Sequence, residues 1–218
     1  MRHHEFDSQG RRQSRRDFIK KAGAAAIAAA GTGALSVPAW AQANGPGVAI
    51  VLDPADPLTG AVPAQWAAGE LRDALAARGV TAQVVSSLVS VPRGIDCVVA
   101  AGPASASARQ LLGGAGISLA DAPEALALAR GRIQGRAVAV AAGSDARGLV
   151  YALTELADRV ALEANPLDAI TSIKPVSERP ANAIRSVGRA FASDVEDKPW
   201  YNDRNFWPAY LSMLAAQR

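Results

Sequence analysis

Between Val48 and Val160, short aliphatic runs alternate with stretches whose apolar residues return at helical spacing. That alternation restricts the chain to folds in which helices cover a sheet. Val48-Ala49-Ile50-Val51-Leu52 is a compact strand ended by Asp53-Pro54. Val62 to Gly79 predicts a helix, with Ala67, Leu71, Ala74 and Leu75 on one side and Gln65, Glu70, Arg72, Asp73 and Arg78 on the other. Strands are expected at Ala82–Val85 and Cys97–Ala101, and a short helix from Ser105 to Leu112, ended by Gly113-Gly114. Ala125–Arg130 and Ala137–Ala142 follow as strands, with residues 131–136 as a further short strand or a hairpin turn. Gly143-Ser144-Asp145 then begins a helix striped by Leu149, Leu153, Leu156 and Val160, which Ser144 or Asp145 can cap.

Because the last strands read as antiparallel, the pattern predicts an α/β (α+β) sandwich, a mixed sheet covered by helices, over residues 44–165. A doubly wound nucleotide fold is disfavoured: Asp53-Pro54-Ala55-Asp56-Pro57 follows the first strand and supplies none of the glycines a phosphate cradle requires. Cys97 is the only cysteine, so no intrachain disulfide and no thiolate cluster can form, and its apolar strand predicts a packed, inert thiol.

The formal charge of +3 suggests nucleic acid, but its distribution argues otherwise. Seven of the 23 basic and three of the 20 acidic residues precede Asn44, which leaves 16 against 17 and a net charge of −1 beyond it. The excess belongs to the leader, so nucleic acid is not an expected partner. Both histidines, His3 and His4, lie there too, which removes imidazole from any triad, shuttle or zinc site of the remainder. No metal and no cofactor is expected.

Ser14-Arg15-Arg16-Asp17-Phe18-Ile19-Lys20 follows the twin-arginine export pattern, and an Ala- and Gly-rich stretch from Ala22 to Val37 comes next. Pro38-Ala39-Trp40-Ala41 supplies an A-x-A site with cleavage after Ala41, and Ala41-Gln42-Ala43 offers a second choice. The stretch is short of the roughly 20 apolar residues a membrane span needs, so no stable anchor is expected. Residues 1–43 are thus assigned to a signal peptide, the Tat translocase to partnership during export, and the product to the periplasm or the medium.

Three segments carry a family resemblance. They are Ala67-Ala68-Gly69-Glu70-Leu71 with Leu75 and Gly79; Glu124-Ala125-Leu126-Ala127-Leu128 leading to Ala137-Val138-Ala139-Val140; and Gly143-Ser144-Asp145-Ala146-Arg147-Gly148-Leu149-Val150-Tyr151-Ala152-Leu153. Together they resemble the N-terminal accessory domain of exported glycoside hydrolases, of the α-glucuronidase type and the related domain before the barrel of β-hexosaminidases. The last segment is similar to that family's G-x-D-x-R-G-x-x-Y-G pattern, with Ala152 in place of the final glycine. By itself it reads as a strand-to-helix turn, Gly143 and Gly148 serving close packing and Asp145 and Arg147 pairing or capping.

The resemblance implies a non-catalytic domain followed by a (β/α)8 barrel. Arg179-Pro180-Ala181-Asn182-Ala183-Ile184-Arg185-Ser186 resembles the entry into the first barrel strand, where Arg185 occupies a substrate-binding position, with Ser186 replacing the common glycine. Phe206–Arg218 would be the first barrel helix, and because the chain ends inside it, residues 166–218 are expected to be a linker and a truncated barrel start. Trp200, Tyr201, Phe206 and Trp207 form either a sugar platform or an aromatic packing cluster.

Hydrolysis needs two carboxyl groups about 5 Å apart or wider. Asp194, Glu196 and Asp197 are close in sequence but are expected in a solvated loop, so no catalytic residue is assigned. The expected function is the non-catalytic N-terminal portion of an exported glycoside hydrolase acting on a glycan such as glucuronyl-decorated xylan. The alternative is a free-standing exported α/β binding or scaffold domain.

Overall fold

The computed structural model describes residues 47–186 and 194–217. Arg15, Arg16 and Ala41 of the leader lie outside them. Six strands form one mixed sheet in the order β2-β1-β3-β5-β4-β6: β1 Gly47–Leu52, β2 Thr81–Val85, β3 Asp96–Ala101, β4 Leu126–Ile133, β5 Arg136–Gly143 and β6 Val176–Glu178. β1 pairs in parallel with β2 and β3, and β3 with β5, whereas β4 runs antiparallel to β5 and β6. Every residue of β1 is buried, as its central place between two parallel neighbours requires. The β4–β5 hairpin turns on Gln134 and Gly135, both at positive φ, the geometry of a two-residue type I′ turn. Both strands therefore run up to it, and no extra strand lies between them.

Strand periodicity sorts the core into two layers. Val48, Ile50, Val98, Leu126 and Leu128 face helices α1 (Val62–Ala77), α3 (Ala146–Leu162) and the short α4 (Asp168–Thr171). Ala49, Cys97, Ala101, Ala127, Ala129, Val138 and Val140 face only α2 (Ala106–Gly114).

The helix ends are made locally. Gly79, at positive φ, closes α1 with Val80 N–H donating to Leu75 O and Gly79 N–H to Ala76 O, both at 3.0 Å. The Arg78 guanidinium then crosses to the other long helix. It donates to the carbonyls of Val160, Ala161, Glu163 and Ala164 at 2.8–3.1 Å, two in the last turn of α3 and two just past its end.

The sheet extends past the expected boundary at residue 165. Ala169 and Ile170 of α4 enter the main core, Arg130 donates to the Thr171 carbonyl, and β6 pairs Val176, Ser177 and Glu178 with Leu128, Ala127 and Leu126. Residues 166–178 are thus the edge of this layer and not a linker. β4 otherwise has an open edge, which β6 satisfies.

Residues 183–186 carry no strand, so no first barrel strand, and no other barrel segment, is seen among the described residues. Asp194–Tyr201 forms a helix, α5, in place of the expected loop. Helix α6, Phe206–Gln217, lies against α3.

Candidate functional site

The strand-to-helix turn at the end of β5 organises a connected polar group. Asp145 caps α3, its Oδ1 accepting from Gly148 N–H at 2.8 Å, while Oδ2 accepts from the Glu124 N–H at 2.8 Å. Ser144 Oγ accepts from Ala125 N–H at 3.0 Å and donates to Ala122 O at 2.7 Å. Two adjacent side chains thereby bind the segment entering β4 to the start of α3.

The glycines permit this contact. A Cβ on Gly143 would overlap the backbone nitrogen of Leu149, and one on Gly148 would overlap the carbonyl oxygen of Ala125.

The bound segment carries Glu124 at φ 60°, a left-handed conformation that costs a non-glycine residue about 1–2 kcal/mol. Its carboxylate, 16% exposed, receives Arg147 Nη1 at 2.9 Å on Oε1. Oε2 receives Arg185 Nη2 in a close ion pair, and the Tyr151 hydroxyl at 3.3 Å. Arg185 also donates through Nη1 to Asn182 O at 3.2 Å. Partial burial pushes the Glu124 carboxyl up, but hydrogen bonds from Arg147 and then Arg185, with their charges, more than reverse this and hold it below the usual carboxylate range. A carboxylate so held is ionised at neutral pH and cannot serve there as a general acid.

Beside it a hollow of about 270 Å³ is lined by Glu124, Tyr151, Arg179, Asn182 and Arg185 among others. Arg185, the expected substrate contact, is therefore brought to Glu124, which fastens the segment leaving the sheet onto β4 and α3. Asp145 and Arg147 do not pair with each other: one caps, and the other meets Glu124.

Glu124 appears in the sequence only as the start of a strand. Its role depends on a positive φ and on partners 23 and 61 residues away. No local signal reports either.

Burial and packing place the remaining candidate residues. Cys97 is buried in β3, and burial pushes its thiol up although Arg136 Nη1 approaches Sγ to 3.7 Å, which leaves an unreactive thiol. Trp200, Tyr201, Phe206, Trp207 and Tyr210 pack on one another, mostly edge to face, with Phe206 and Tyr210 stacked at 5.2 Å. Among the described residues no group of three His, Cys, Asp or Glu is placed to hold a metal ion.

No protein-family profile matches the chain, and no curated protein sequence matches it. A solved structure does: a GH138 enzyme targeting pectin rhamnogalacturonan II aligns at a TM-score of 0.50 and 17% identity. The fold is shared with part of a glycoside hydrolase. The alignment covers 78% of this chain and 23% of that enzyme, so the chain spans under a quarter of its relative's length. At this identity the likeness is one of fold.

Proposed function

We propose that this chain is a non-catalytic accessory domain of an exported glycoside hydrolase, engaged in breakdown of a plant-type polysaccharide. The shared fold with part of the GH138 enzyme supports the reading most directly. The resemblance of the Gly143–Leu153 turn to the accessory domain of α-glucuronidases supports it independently. In this role Glu124 fixes the direction in which the chain leaves the sheet, so that a catalytic barrel following it would be held in one orientation. Arg185 would hold Glu124 through Nη2 and meet a glycan, if at all, through the donors left facing the hollow.

The purified chain should release no product from glucuronoxylan oligosaccharides or rhamnogalacturonan II fragments. Turnover above the blank, abolished by a carboxylate substitution, would sink the reading.

Export belongs to the same proposal. The Tat translocase would carry the folded product to the periplasm or the medium, with cleavage after Ala41. No helix among the described residues is long and apolar enough to cross a membrane. Changing Arg15 and Arg16 to Lys should leave the precursor in the cytoplasm, and efficient secretion of that variant would remove the assignment.

A further inference from the structure

The layer beneath α2 contains an open cleft of about 690 Å³. Its position follows from topology. After β1 the chain turns to α1 on one face of the sheet, and after the adjacent β3 it turns to α2 on the other. Two neighbouring parallel strands whose connections part in this way leave a crevice at their carboxyl ends, where ligands of open α/β sheets bind. The cleft lies there, between the 53–57 loop that follows β1 and the start of α2 that follows β3.

The crevice is also built. Asp56 staples its two sides: Oδ2 accepts from Gly102 N–H at 2.6 Å and Oδ1 from Leu58 N–H at 3.0 Å. A Cβ on Gly102 would meet that carboxylate at 2.9 Å, so the two loops are held in contact. Val51 and Val99 form an apolar floor.

The rim carries Asp53 and the hydroxyl and amide side chains of Ser86, Ser107 and Gln134, and those three have no hydrogen-bond partner among the described residues. No Lys, Arg or His lines the cleft. An anion would therefore meet two carboxylates and no compensating cation. A neutral molecule with many hydroxyl groups would find acceptors and donors at the rim and an apolar surface for its C–H face.

We infer that this cleft is a binding site for a neutral polyhydroxylated molecule of mono- to disaccharide size. The inference goes beyond the accessory-domain reading and rests on the lining alone. That reading stands or falls by the turnover assay, so the two can fail separately.

The test is a titration of the 15N-labelled chain with methyl β-D-xylopyranoside, xylobiose, galacturonate and inorganic phosphate. The neutral sugars should shift amides of residues 53–57, 86–89 and 104–107 in a saturable way, while galacturonate and phosphate should leave them in place. Ala106→Trp, from an exposed position on the cleft wall, should weaken neutral-sugar binding about tenfold and leave the other amides unmoved. Should that variant disturb the fold, Asp53→Asn, in an exposed loop, should admit galacturonate nearly as well as the neutral sugar. Absence of saturable shifts, shifts only elsewhere, equal binding of galacturonate by the unaltered chain, or unchanged affinity in Ala106→Trp would each overturn the assignment.

Discussion

On one face of the sheet Val48, Ile50, Val98, Leu126 and Leu128, with Ala100, Ala139 and Ala141, meet two long helices; on the other Ala49, Ala101, Ala127 and Ala129, with Cys97, Val138 and Val140, meet one short helix. Burying a Val, Leu or Ile side chain stabilises by about 1.5–3 kcal/mol, and an alanine contributes far less. The first face therefore holds most of the apolar stabilisation. The second, richer in alanine and covered by only nine residues of helix, keeps open space beside α2. A single sheet thus keeps cohesion and ligand access on opposite sides.

The sharpest way to break this division is to unseat α3 from the first face. Gly148→Ala forces a methyl group into the Ala125 carbonyl, backbone against backbone with nowhere to shift. Losses of about 3–5 kcal/mol are expected, enough to unfold a marginal domain. Urea denaturation followed by circular dichroism measures this. A loss below about 1 kcal/mol would show that α3 can slide and that its seat is not fixed by the turn.

Truncations on the two faces compare them directly. Leu153, fully buried in α3, should cost about 3–4 kcal/mol as Leu153→Ala, because rigid neighbours from α1 and the sheet leave the cavity open. Leu111, the α2 residue over Gly131, is covered by a shorter helix and should cost nearer 2 kcal/mol as Leu111→Ala. Equal costs would mean that the alanine face is packed as tightly as the other.

Arg78 links the two long helices of the first face without adding apolar area. Arg78→Ala uncovers four carbonyls at the end of α3, but water can reach several of them, so a loss of about 1–2 kcal/mol is expected. Arg78→Lys should recover only part of it, since an ammonium cannot span four acceptors as a planar fork does. Full recovery with lysine would reduce the contact to simple charge placed at a helix end.

How much of this was legible in the sequence depends on the range of the interaction. The helix stripe Leu149, Leu153, Leu156, Val160 and the Asp145 cap are local, repeat at fixed spacing and emerge as expected. The antiparallel sense of β4 and β5 is legible too, but the sequence leaves residues 131–136 as a further strand or a turn, and only the structure narrows the turn to Gln134 and Gly135. The fate of residues 166–178 was not. Three prolines between Pro166 and Pro180 suggest an irregular linker, yet tertiary packing places Ile170 in the core and β6 on the sheet edge. Arg78, Asp56 and Glu124 escaped notice for the same reason, since each acts on a partner far along the chain. The barrel entry that the resemblance implies at Arg179–Ser186 forms no strand, and Arg185 is held instead by a side-chain ion pair.

That ion pair gives the smallest effect and the one with a pH signature. The first face is stabilised by apolar contacts, which are insensitive to pH, so any acid-dependent loss at its edge must come from carboxylates such as Glu124. Its pKa in the folded chain lies below the unfolded value of about 4.3. The stabilisation is therefore complete above that value and disappears as pH falls through the native pKa. Glu124→Gln should lower Tm modestly at pH 7, because Arg147 is largely exposed and water screens much of its pair. The difference from the unaltered chain should hold from pH 7 to about 5, shrink below the unfolded pKa and close only once the pH has fallen past the lower native one, where both side chains are neutral. In the same variant trypsin should cut faster after Arg185, since the segment leaving β6 has lost its fastening. A Tm gap that persists into acid would assign the effect to packing, and unchanged cleavage would leave the exit segment held by something other than Glu124.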